Sequence, residues 1–199
     1  MNKFLDIHFK REVMTIYPGE YYSSFGPEYI STVLGSCVAI ALYDAQHKIG
    51  GLNHFILAKG GSNGRNDSGL VGRFGEFAVE LLINDMLKKG AVRANLTAKV
   101  FGGSNVFNIS NPKMPQVGND NINFAFSYLE RENIPVIASD TGGVEPRKII
   151  YDPSSSKIWL KRIKSDRENQ EIQAQENIYI SSVKKKQENE STGDIIWFK

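Results

Sequence analysis

The sequence predicts an α/β fold, a layered sandwich of mixed and antiparallel β-sheets with flanking α-helices. Three observations predict it. Apolar β-type runs occur twice in pairs around short polar turns, at 38–57 and 147–163, the pattern of a hairpin. Two stretches, 73–89 and 120–133, carry apolar residues at helical spacing. Single apolar runs at 94–101 and 134–139 supply further strands.

Composition sets the outer bounds. A chain of 199 residues with 41% hydrophobic content suffices for one compact domain with an appendage. With 24 Lys and Arg against 22 Asp and Glu, the net charge of +2 gives no electrostatic basis for a nucleic-acid partner. The single cysteine excludes an intrachain disulfide and suits a reducing compartment. No apolar run approaches the ~20 residues of a membrane span, and residues 1–11 lack a signal-peptide core. A cytoplasmic protein is expected, without membrane insertion.

Residues 1–30 are aromatic and polar, with Pro18-Gly19 marking a turn. Phe9, Val13, Ile16 and Tyr17 are expected to pack against the sheet, and His8 to lie in a solvated arm. The first hairpin follows. Val38 to Tyr43 leaves Cys37, which stands directly after Gly35-Ser36, and the returning run 49–57 carries His54. With 44–47 as the loop, Tyr43 pairs with Lys48 and Cys37 falls opposite His54. Directly opposed residues on one face have Cβ atoms about 4.5–5.5 Å apart. His47 falls in the turn and is expected to be exposed.

Residues 60–69 are polar and glycine-rich, either a rim of a substrate cleft or a plain connector. The helix at 73–89 turns Phe74, Phe77, Ala78, Leu81 and Leu82 to the core and ends at Gly90. The strand at 94–101 runs into Gly102-Gly103. No helix opens directly after that pair, so close backbone packing is expected rather than phosphate binding. The helix at 120–133 uses Ile122, Ala125, Phe126 and Leu129. The strand at 134–139 ends in Asp140-Thr141-Gly142-Gly143. The second hairpin turns around Asp152 to Ser156.

From Lys164 the composition shifts to charges and glutamines, and disorder is the first reading. Against it, Ile172, Ile178, Tyr179 and Val183 form a weak helical stripe, and residues 194–198 are apolar. The expected division is a domain over 1–163 and a polar extension over 164–199, a helix and short strand that fold back.

Cys37 carries two readings. A lone cysteine beside an apolar run is ordinarily buried and inert. Beside a histidine that takes its proton, and with backbone N–H groups of Gly35 and Ser36 aimed at an oxyanion, it is an acyl-transfer nucleophile. Ordered motifs favour the second. Ser31-Thr32, Leu34-Gly35-Ser36-Cys37-Val38 and Gly50-Gly51-Leu52-Asn53-His54 resemble the signature of the chemoreceptor glutamine deamidase family CheD. Lys99-Val100-Phe101-Gly102-Gly103, Asp140-Thr141-Gly142-Gly143 and Arg147 extend the resemblance over residues 10–163.

The resemblance implies a sandwich similar to the catalytic domain of glutamine-deamidating toxins. It implies that Cys37 is the nucleophile, His54 the acid and base, and Ser31 the third member, with Thr32 the alternative. Ser31 stands where the family has a threonine. Asn53, Gly102, Gly103 and Thr141 are candidates for the substrate cleft. No metal and no cofactor is implied. The implied partners are the cytoplasmic helical bundle of a chemoreceptor and a CheC-type phosphatase. A non-catalytic module that stimulates such a phosphatase is the alternative function, and a cysteine protease or transglutaminase the alternative chemistry.

Overall fold

The computed structural model describes residues 1–57, 68–105, 117–164 and 166–191. Among the described residues, ten strands build two mixed five-stranded sheets. The first holds β1 (Asn2–Asp6), β2 (Arg11–Thr15), β4 (Tyr29–Leu34), β9 (Arg147–Tyr151) and β10 (Ile158–Arg162), in the order β1-β2-β4-β9-β10. The second holds β3 (Tyr21–Ser24), β5 (Val38–Asp44), β6 (Ile49–Asn53), β7 (Leu96–Gly102) and β8 (Val136–Thr141), in the order β3-β6-β5-β7-β8. Only β2 with β4 and β7 with β8 run parallel.

The alternation along β5 explains the layering. Val38, Ile40 and Leu42 turn to one face and pack with Val79, Leu82, Ile83 and Met86 of α1 (Ser68–Lys88) and Ala125 and Leu129 of α2 (Val117–Arg131). Ala39 and Ala41, with Cys37, turn to the other face and meet Ile30 and Leu34 of β4 and Ile149 and Tyr151 of β9. A period-two pattern, apolar on both faces, marks a strand buried between two layers. The order is therefore first sheet, second sheet, helices.

Several expectations are corrected. The first fifteen residues form an edge hairpin, β1 with β2, in place of an arm, and His8 is solvated as expected, in its turn. The helix at 73–89 begins earlier, at Ser68, and its buried row is Val79, Leu82, Ile83 and Met86. Phe77 is 61% exposed, because the core face lies one residue on from the expected stripe. Gly90 does end it, at φ 102° with its N–H on Leu87 O. The rest of the glycine-rich stretch lies outside the described residues.

The hairpin carrying Cys37 and His54 pairs Asp44 with Ile49 and Tyr43 with Gly50, two places from the expected register. Asp44 decides it. Its carboxylate accepts N–H bonds from Gln46, His47 and Val92 and contacts His47 Nδ1, so it ends the strand instead of entering the loop. Lys48, at φ 55°, completes the turn. A shift by two preserves face, so Cys37 and His54 remain on the same side of the sheet.

Candidate active site

Cys37 stands in the short link that leaves the first sheet at Leu34 and enters the second at Val38. Each carbonyl of this link is held on one side. Gly35 O accepts from Ser104 N–H and Oγ, Ser36 O from Asn121 Nδ2, and Cys37 O from Gly103 N–H. Peptide N–H and C=O point in opposite senses, so the Ser36 and Cys37 N–H groups face the other way, and the Gly35 N–H joins them. They meet the carboxylate of Glu176, on α3 (Asp166–Ser191). Gly35 and Cys37 N–H reach Oε1, each at 3.1 Å, and Ser36 N–H reaches Oε2 at 3.2 Å. Ser36 Oγ adds a 2.6 Å bond to Oε2. Three successive main-chain donors on one anion form a nest.

Gly102 and Gly35 are required by this packing. At Gly102, φ is 106° and a Cβ would lie 2.2 Å from Cys37 O. A Cβ on Gly35 would lie 2.9 Å from Glu176 Oε1.

His54 is clamped by its backbone, its N–H on Glu20 O and its carbonyl accepting from Gly19. Its Nδ1 lies 2.8 Å from Thr32 Oγ1, and Thr32 Oγ1 lies 2.8 Å from Ile16 O. A carbonyl only accepts, so the one hydroxyl proton of Thr32 goes to Ile16 O, and Nδ1–H must donate to Thr32. The tautomer follows. Nε2 carries the lone pair, and it is buried with no hydrogen-bond partner among the described residues. A cavity of about 170 Å³ opens beside it, walled by Ile16, Thr32, His54, Ile172, Gln175 and Glu176 among others.

Comparison with known proteins supports one family. The family description "CheD chemotactic sensory transduction" matches residues 56–162. A Shewanella oneidensis protein named probable chemoreceptor glutamine deamidase CheD 1 is 44% identical over 82% of this chain and 79% of its own. The chain belongs to the CheD family. A Herminiimonas arsenicoxydans protein named probable chemoreceptor glutamine deamidase CheD is 38% identical over 99% of this chain and 94% of its own. Among solved structures, the Bacillus licheniformis hypothetical protein YfiH overlaps at TM-score 0.40 and 12% identity, over 62% of this chain and 51% of that one.

The CheD motifs separate into groups at the site and groups that support it. Thr32, not Ser31, contacts His54. Ser31 Oγ instead donates to Ile149 O on the neighbouring strand, 3.1 Å away. Successive residues of β4 face opposite ways, and the even one faces the second sheet. Asn53 does not face the histidine cavity. It is buried on the helix side, where Oδ1 accepts Ile40 N–H at 2.8 Å and replaces a missing ladder bond. Gly102 and Gly103 lie against the Cys37 backbone, and Thr141 pairs with Gly102 one strand further out. Buried Arg147 holds the turn after β8 through Asp140 Oδ1 and the carbonyls of Asp140 and Gly142.

Sequence reasoning missed Ser104, Asn121 and Glu176. Asn121 is fully buried and joins Ser36 O to Leu57 N–H, fixing the cysteine link and the end of the histidine strand together. A polar residue on the otherwise apolar row Asn121, Ala125, Tyr128 was its available signal. Glu176 had none, since it bonds across 139 residues to Cys37.

Electrostatics describe a resting site. Burial pushes the Cys37 thiol well above its ordinary value, and the Glu176 carboxylate beside it pushes further. Burial alone pushes the His54 pKa down to about 3. Both shifts favour the neutral forms, thiol and imidazole.

The Thr32 contact makes a test. Thr32→Val leaves Nδ1–H and Ile16 O unpartnered, and turnover should fall about tenfold, the equivalent of one lost hydrogen bond. Thr32→Ser should retain the rate and Ser31→Ala should leave it unchanged, measured as kcat/KM for ammonia release. A normal Thr32→Val with a slow Ser31→Ala would return the role to Ser31.

Proposed function

We propose that the chain is a protein-glutamine deamidase that converts glutamine side chains of chemoreceptors to glutamate through a Cys37 thioester. The convergence of the Gly35, Ser36 and Cys37 N–H groups beside the buried thiol carries this reading. The Gly35 and Cys37 N–H groups, which share one acceptor oxygen, stabilise the developing oxyanion, and such a donor is typically worth about 3–4 kcal/mol. His54 Nε2 takes the thiol proton as the sulfur adds to the amide carbon. The oxygen enters the nest, and the imidazolium returns its proton to the departing ammonia. Water, deprotonated by the same nitrogen, then opens the thioester. Thr32 holds the ring in the tautomer that leaves Nε2 free for both transfers.

The substrate follows from the names of the CheD relatives, which are given as chemoreceptor deamidases. Glutamines on the helical cytoplasmic region of such receptors are the proposed targets, so the chain would act in the cytoplasm. The test is to incubate a receptor cytoplasmic fragment with the protein and weigh it. Each deamidation replaces NH2 by OH and raises the mass by about one unit, with one ammonia released. A cut fragment would indicate a protease instead, and a fragment joined through an isopeptide bond a transglutaminase.

A further inference from the structure

The position of Glu176 has a meaning that a simple tail contact does not supply. α3 is strongly polar, and most of its described side chains face solvent, yet Glu176 is only 3% exposed. Its carboxylate fills the nest at Cys37 with four hydrogen bonds. Ile172 borders the histidine cavity, and Tyr179 and Ile180 pack on the core between the sheets. These positions, four before and three and four after Glu176, form one helical face. The Tyr179 ring also lies on Gly19, where a Cβ would come 2.3 Å from its hydroxyl.

We propose that α3 is a tethered product analogue: Glu176 occupies the place of the glutamate formed by deamidation, and the resting chain is closed by its own helix. The proposal rests on the deamidase reading above. Oε1, shared by the Gly35 and Cys37 N–H groups, stands where the oxyanion forms. Oε2 accepts from Ser36 N–H and Oγ and stands where the amide nitrogen leaves and water enters. An amide NH2 there would face the Ser36 N–H donor to donor, so product fits better than substrate. A substrate glutamine must displace Glu176 to reach the thiol. Until then the carboxylate beside the thiol opposes thiolate formation.

The full-length Glu176→Gln variant tests this directly, because it turns the helix into an internal substrate. The Cys37 sulfur bonds to the carbon of the introduced side-chain amide, the C–N bond breaks with a proton from His54, and ammonia leaves. Water then cleaves the C–S bond, restoring Glu176 and the thiol. Peptide mapping should find position 176 converted back to glutamate at a rate independent of protein concentration, and unconverted when Cys37→Ala is added. An amide that persists at this position, in a protein still able to deamidate a receptor fragment, would overturn the proposal while sparing the deamidase reading. Conversion in proportion to protein concentration would also overturn it, since the helix would then be attacked between molecules. Failure on both substrates would reject the deamidase reading and the proposal together.

A second readout needs no turnover. Glu176→Arg in the full chain should raise the rate of Cys37 alkylation by iodoacetamide about tenfold or more, the effect of losing one charge-assisted hydrogen bond. Equal rates in variant and parent would reject the closure.

Discussion

Cys37→Ala is expected to end ammonia release from a receptor fragment entirely while the protein stays folded. Alanine fits the site, since Cys37 is fully buried among Ile30, Leu34, Ala39 and their neighbours, and the loss of one sulfur should cost about 1 kcal/mol, comparable to a deleted methylene. The chain holds a single cysteine, so no second thiol can replace the nucleophile. The check pairs an ammonia assay with a melting curve. The same variant separates enzyme from adaptor. A module acting only by binding a CheC-type phosphatase would keep its effect without the thiol, so stimulation that vanished together with deamidation would argue against an independent binding role.

His54→Gln should be nearly as damaging, lowering kcat by about 10²- to 10⁴-fold, the range for a lost general acid–base group. It has a second signature in stability. The folded-state pKa of His54 is about 3, well below the ordinary histidine value, owing to burial. Between those values the unfolded chain binds the proton and the folded chain does not. Stability is therefore fully present above about pH 6.5 and declines as the pH falls toward the folded value, by up to about 1.4 kcal/mol per unit. Unfolding by urea at pH 6.5 and pH 5 should show this loss in the parent and a smaller one in His54→Gln. Equal slopes would mean that His54 is hydrated or paired in solution.

The layered α/β architecture was legible because alternation and helical spacing both report burial, and both recur along the chain. The same-face relation of Cys37 and His54 was legible too, since it depends only on parity. Register was not, because Asp44 could end the strand or open the loop, and its N–H partner Val92 is remote in sequence. Position alone favours Ser31 over Thr32. Alternation says that the two face opposite ways, but not which faces the histidine. That depends on β4 lying in the other sheet, across from the hairpin. Ile178 shows the same limit in α3: it is 71% exposed, while Glu176, Tyr179 and Ile180 turn inward.

The nest at Cys37 has one further consequence, for mutational scans. Two of its donors, the N–H groups of Gly35 and Cys37, belong wholly to the main chain, and the third N–H survives any change at Ser36 except proline. Alanine at Ser36 would remove a hydroxyl and leave the oxyanion site standing. A side-chain scan would thus report Ser36 as quieter than its chemistry warrants. The sensitivity would surface instead at Asn121 and Ser104, whose side chains aim the peptide dipoles from behind without facing the substrate.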